Sequence, residues 1–437
     1  MIFALNLGLF FVSETVVANY SEGQEEKEFT GLHLSELEKA PLWTFSKGSV
    51  LSSDMSADGK YIVILVQDTG TNVFFFNRSL STPLWNYSIP SSLYGVALSS
   101  DGNYFVAGAG NTFYFFSRTH SEPLWSYTAS GYISDIAISS NGSYFIVGNG
   151  EDELLLFNKS GTSPMWSFKA KAVVKCVSMS SDGFYFAIGT EYQDKNVYVF
   201  NRTSSTPMWN YSTGGVVYAI DISKDGNYIA AGTSQSTCLI FSKNSSTPIQ
   251  IYTPGSERYY SVALSYNGRY LIAGGYNFYY YFFDTTKSSY LWSQDHSWGS
   301  VTRKVDISDD GKYIGVAASI NFHFHERETN QVKWKCDTHG DFTSLKLSSD
   351  GAYISFSNIA GEFFFFSRLP YPENGKNESQ DQFPTNEEEM DPFLQFLFDR
   401  QIRLYIIFSL ISLIGIMTGV GILMYFRIDR KYLNETR

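Results

Sequence analysis

Hydrophobic and polar positions along residues 207–241 fall into four short apolar runs separated by turn-forming residues. Met208-Trp209-Asn210-Tyr211 alternates and is followed by Thr213-Gly214-Gly215. Val217 to Ser223 reads as a second strand, closed by Lys224-Asp225-Gly226. Tyr228 to Gly232 returns, and Thr237 to Phe241 forms the last run before Ser242-Lys243-Asn244. Period-two alternation rich in aromatic and β-branched residues predicts strands, and Asp-Gly predicts a tight hairpin because glycine adopts positive φ at little cost. Thirty-five residues thus specify one repeat of four strands.

The same unit recurs. An Asp/Asn-Gly-x-Tyr turn begins at Asp58, Asp101, Asn141, Asp182, Asp225, Asn267, Asp310 and Asp350, at spacings of 43, 40, 41, 43, 42, 43 and 40 residues. A fixed period of this length marks repeated four-stranded sheets, the blades of a propeller. The predicted fold is therefore all-β, an eight-bladed β-propeller, with one C-terminal transmembrane helix beside it. An apolar-aromatic strand at Pro41-Leu42-Trp43 precedes the first unit, and the eighth unit ends at Phe363 to Arg368 without such a strand. Segment 41–46 is expected to complete blade eight and close the ring, removing the free sheet edges of an open array.

Four residues before each Asp/Asn stand Asp54, Ala97, Ala137, Ser178, Asp221, Ala263, Asp306 and Lys346, small or polar side chains suited to a crowded inner strand. Segments such as Val96-Ala97-Leu98-Ser99-Ser100-Asp101-Gly102 resemble the inner strand and turn of WD40 and YVTN repeats. The WD dipeptide is absent, its slot holding Phe76-Asn77-Arg78 and similar. Tryptophan sits on the outer strand instead, as in Pro83-Leu84-Trp85 and Pro164-Met165-Trp166, a placement that resembles PQQ-like propellers. The resemblance covers residues 41–368 and implies fold more than activity.

Beyond the repeats, Ile2 to Val12 followed by Val16-Val17-Ala18 reads as a signal peptide over 1–18, although no basic residue precedes Lys27. Residues 19–40 form a linker. Residues 369–400, with prolines among acids and amides, read as a flexible stalk. Leu404 to Phe426 is uncharged over 23 residues, long enough to cross a bilayer, so a transmembrane helix is expected over 402–426 and a cytoplasmic tail over 427–437. Arg427, Arg430, Lys431 and Arg437 favour a cytoplasmic C-terminus and extracytoplasmic repeats at the cell membrane. Gly415-x-x-x-Gly419 is a helix-pairing pattern.

The formal net charge of −11 argues against a nucleic-acid partner. Cys176, Cys238 and Cys336 show no metal spacing, and no catalytic motif, metal site or cofactor is predicted. His323 and His325 share one strand face but read as packing, since other repeats carry Tyr198 and Phe200 there. Asp54, Asp221 and Asp306 are expected to line the axis. Sequons at Asn77, Asn86, Asn158, Asn201, Asn210, Asn244 and Asn377 are glycosylation candidates on the turn face, the rim or the stalk, with Asn141 a further one. Candidate ligand-binding residues are Arg258, Tyr259, Tyr260, Tyr276, His296 and Trp298, because Tyr, Trp and Arg dominate binding hot spots. The functional expectation is a membrane-anchored module binding a protein or glycan through its membrane-distal loops. The alternatives are a structural subunit of a membrane or surface-layer assembly, or a PQQ-like enzyme, the latter weakened by the lack of adjacent cysteines.

Overall fold

The structure, a computed structural model, describes residues 39–68, 72–255, 258–276, 278–295 and 301–369. The expected signal peptide, most of the stalk and the predicted span lie outside these residues, as do His296, Trp298 and Asn377. Among the described residues no helix is long and apolar enough to cross a membrane.

Thirty-two strands, from β1 (Trp43–Ser46) to β32 (Glu362–Ser367), form eight four-stranded antiparallel sheets. Blades 1 to 7 occupy residues 49–87, 93–128, 133–169, 174–212, 217–252, 259–295 and 302–337. Blade 8 joins 342–367 to β1, with Trp43 opposite Phe365 and Ser46 opposite Glu362. The inner strand of each blade touches that of the next, and β30 (Phe342–Leu347) returns to β2 (Ser49–Met55), so the ring is closed. Trp43 is stacked on Phe365 and Phe76, 5.2 and 5.6 Å between centroids, and thereby joins blade 8 to blade 1. Leu42 is 37% exposed, so its backbone N–H bond to the Phe365 carbonyl, and not its side chain, serves the closure.

The core lies between the blades. One cluster takes Val63, Leu65 and Phe75 from blade 1 and Leu98, Phe105 and Phe116 from blade 2, and the others repeat this sharing. Burial of each such Phe or Leu is worth about 1.5–3 kcal/mol, realised only when the neighbouring sheet is present.

The Asx-Gly turns explain why the repeat includes Tyr. A buried serine two residues before each Asp/Asn donates its hydroxyl to the Asx side chain. The distances are 2.6–2.7 Å in the six aspartate turns and 3.2–3.3 Å in the two asparagine turns. The shorter set carries the charge. The same serine oxygen accepts the Tyr backbone N–H at 2.9–3.0 Å. Gly102 has φ +68, and an added Cβ would lie 2.5 Å from the ring of Tyr61 in the preceding blade, so neither the conformation nor the space admits a side chain. Over that ring lies the guanidinium of Arg118, 4.5 Å from its centroid, and the Trp85 indole N–H donates to the Arg118 carbonyl at 2.8 Å. Tyr and Trp of one blade are thus clasped by the turn and third strand of the next.

Two seams depart from this rule. In blade 6 the clasping position holds Thr285, and Tyr252, which replaces Trp in blade 5, donates its hydroxyl to the Lys287 carbonyl at 2.7 Å. At the seam of blades 7 and 8 the Trp334 indole N–H has no partner, while the Lys39 ammonium donates to the Arg368 carbonyl at 2.9 Å and sits 5.8 Å over the Trp334 ring.

Candidate functional site

Inner strands enclose an axial cavity of about 590 Å³ lined by Asp54, Asp135, Asp221, Asp306, Lys304 and Lys346 among serines and small apolar residues. The four aspartates belong to alternate blades, and each bridges to the next blade. One oxygen caps its own strand; the other accepts a backbone N–H from Leu98, Val177, Leu264 or Leu347 at 2.7–2.8 Å. Burial pushes the Asp221 carboxyl up to about 6 and also raises Asp135 and Asp306. Asp54 lies 3.4 Å from Lys346, whose own pKa is raised chiefly by Asp54, whereas burial lowers that of Lys304. Asp54, Asp221 and Asp306 line the axis as their position before the turn predicts. Asp135 was hidden because it stands two residues earlier in its strand than they do.

The two mouths of the cavity are built differently. The bottom mouth, where the Asx-Gly turns lie, is a circuit of backbone hydrogen bonds running once round all eight blades. It passes from Ala57 N–H to Ser100 carbonyl at 2.9 Å and returns from Ser349 N–H to Ala57 carbonyl at 2.7 Å. Lys224 reaches across it to Asp309 and Ser349.

At the top mouth every inner strand carries a register irregularity, between its first and third residues in blades 2 to 8 and between Val50 and Ser52 in blade 1. The residue left without a partner is Leu51, Tyr94, Ser134, Lys175, Tyr218, Tyr260, Arg303 or Thr343, always seven before the turn Asp/Asn. Such bulges re-aim a side chain and end regular pairing, and they gather at rims and sites. The rim is chemically lopsided: Lys175, Tyr218, Tyr260 and Arg303 on blades 4 to 7, and Thr343, Leu51, Tyr94 and Ser134 on the others.

Arg258 and Tyr276 meet at the top of blade 6, where the Tyr276 N–H donates to the Arg258 carbonyl at 3.0 Å. Tyr276 is 52% exposed. Tyr260 packs on Tyr218 of blade 5, 5.0 Å between centroids at 62°. The Tyr260 hydroxyl lies against the Arg258 guanidinium and is the first cause of its raised pKa. Tyr218 is pushed up to about 12, first by its hydrogen bond with Tyr192 of blade 4 and then by burial. Tyr259 stands apart: it is buried, and an added Cβ on Gly232 of blade 5 would meet its side chain, so it packs between blades and presents no surface. Tyr192 and Tyr218 escape a reading confined to loops; the signal for Tyr218 is its spacing from the turn.

His325 is fully buried. Its Nδ1 donates to the Gln331 carbonyl at 3.1 Å, so Nε2 accepts the Tyr280 hydroxyl at 2.5 Å. Burial lowers His323 to about 4 and His325 to about 3. Among the described residues no three His, Cys, Asp or Glu side chains converge as metal ligands, and no disulfide joins the cysteines. Of the sequons, Asn77, Asn158, Asn201 and Asn244 follow third strands at the bottom, and exposed Asn86 and Asn210 lie on outer strands. Asn77 and Asn201 accept both the N–H and the hydroxyl of the Ser/Thr two residues on.

Residues 206–242 match the WD domain, G-beta repeat family model. One repeat is of the WD40 type. It runs from the outer strand of blade 4 to the third strand of blade 5. No curated protein matches the chain. Among solved structures it is similar to Chaetomium thermophilum Sqt1 bound to the N-terminus of the ribosomal protein L10, at 13% identity and a TM-score of 0.65, over 75% of this chain and 99% of that one. At this identity the likeness concerns fold alone.

Proposed function

We propose that the chain is a single-pass, membrane-anchored, extracytoplasmic scaffold that binds a protein through the top face of its propeller. The carrying observation is the division between the mouths: the bottom repeats one hydrogen-bonded turn eight times, whereas the bulged rim changes residue type from blade to blade. A rigid wheel with variable loops is the form in which recognition is grafted onto a fold. Engagement of a protein segment by Sqt1, a wheel of similar shape, supports the reading. The uncharged stretch 404–426 supports the anchor. Both described chain ends sit at the bottom, joined by the Lys39–Arg368 bond, which supports a top rim left open to a partner. Sequons on the bottom and rim, and none on the described top loops, fit glycans that leave the top clear.

The test is site-directed photo-crosslinking in intact cells, with the crosslinker at exposed Tyr132 on the top or Lys60 on the bottom. A discrete adduct from position 132 and none from position 60 is expected; the reverse pattern overturns the top-face reading. Glycosidase sensitivity and protease accessibility of the repeats on unbroken cells test the membrane side.

A further inference from the structure

The top mouth holds one cluster whose parts converge from three blades. Tyr192 comes from the loop after the second strand of blade 4, Tyr218 from the bulge of blade 5, and Arg258 and Tyr260 from the entry to blade 6. Tyr192 is 65% exposed, Tyr218 meets Tyr260 edge to face at 5.0 Å between centroids, and the Arg258 carbonyl beside them accepts the Tyr276 N–H at 3.0 Å. We propose that these four residues form a subsite for an acidic peptide: Arg258 takes a side-chain carboxylate, and the tyrosine rings take the apolar side chain beside it. This rests on the top-face reading and names its ligand chemistry.

Charge argues for the carboxylate. Three cations near this rim are already paired: Lys175 with Glu191 at 3.1 Å, Arg303 with Asp341 at 2.9 Å and Lys47 with Asp68 at 3.6 Å. Arg258 makes no ion pair among the described residues. A planar guanidinium presents parallel N–H donors to a carboxylate.

Backbone argues for a peptide. Tyr218 and Tyr260 are bulged residues, so their main-chain groups lie outside the regular ladder and face the mouth, where an extended chain can bond to them. The site is also held before binding. The Arg258 carbonyl accepts the Tyr276 N–H, and Tyr259, next along the chain, is locked between blades. Little ordering remains to be lost on association.

The probe is a fluorescent glutamate–tyrosine copolymer, with a lysine–tyrosine copolymer and a sialylated oligosaccharide as comparators, read by anisotropy against the purified full chain. The glutamate–tyrosine probe is expected to bind, and the other two are not. Arg258→Gln should weaken binding about tenfold, the loss of one charged hydrogen-bonding group. Arg258→Lys should fall between, and Tyr192→Ala should weaken it a few-fold. Tyr94→Ala, on the opposite rim, should leave it unchanged. Melting temperatures of the variants should match the parent, since Arg258 and Tyr192 are exposed. No binding of the acidic probe, equal binding of the lysine probe, preference for the sialylated probe, or undiminished binding by a folded Arg258→Gln protein each overturns the subsite. Adducts from position 132 without acidic-peptide binding would sink the subsite and leave the top-face reading intact. Arg258-dependent peptide binding without such adducts would do the opposite.

Discussion

The two mouths of the cavity teach different lessons about one repeat. At the bottom, serine, Asx, glycine and tyrosine recur in every blade because each residue meets a geometric demand: a hydroxyl bridging turn and strand, a positive φ, a ring under the next turn. At the top, the bulge takes one residue per blade out of the regular ladder, and its type varies round the rim. Bottom substitutions should therefore cost stability and spare binding, and rim substitutions should do the reverse.

The largest effect is expected where the ring closes. Trp43→Ala removes the stack on Phe76 and Phe365 and the indole bond to the Arg78 carbonyl. Trp43 is half-buried, so a loss of about 3 kcal/mol, the lower end of the cost of emptying an aromatic site, should appear as a lower melting temperature and early proteolysis near residue 43. A variant as stable as the parent would show that closure does not hold the wheel together. Next comes Ser308→Ala in the turn of blade 7, which strips a partner from both Asp310 and the Tyr313 N–H and should cost about 1–3 kcal/mol by chemical denaturation. Equal damage to partner binding would blur the division between the mouths.

A pH series tests the axis between them. Asp221 is raised from 3.8 to about 6, so the native state holds its proton more tightly than the unfolded chain does. Its contribution is complete below pH 3.8 and is lost as pH rises through about 6. The stability of the parent relative to Asp221→Asn should accordingly fall across that window and level off above it. A flat difference would mean that the cavity water solvates the carboxylate fully. The clasps give a smaller contrast. Trp125→Phe should cost about 1 kcal/mol for its bond to the Lys159 carbonyl, whereas Trp334→Phe loses no bond and should be near neutral. Smallest of all, Tyr94→Ser on the exposed rim should move stability by no more than about 0.5 kcal/mol.

Much of the wheel was legible because its physics is periodic. Asx-Gly turns fixed the blade count, and the unpaired Pro41-Leu42-Trp43 strand announced closure, with Trp43 opposite Phe365 as its outcome. The division of faces followed from counting strand reversals. Side-chain direction was harder to read. Arg258, Tyr260 and Tyr276 are adjacent in one loop pair, yet Tyr259 turns into the seam because strand alternation governs it more than its neighbours' chemistry does. Tyr192 joins from two blades away, a tertiary relation that no local pattern encodes. Asp135 escaped for the converse reason: it performs the job of Asp54 one step of alternation higher, and a search at fixed spacing passes over it.

Pairing Trp43 with Phe365 has a consequence for biogenesis. The first strand synthesised waits for the last, so the nascent chain carries two naked hydrogen-bonding borders through almost all of its elongation. End-joining spans nearly the whole domain and should be a slow, late event, after the middle sheets have already docked on one another. Whatever shields those borders in the interval decides how much of the chain becomes a finished wheel and how much is lost to edge-to-edge association.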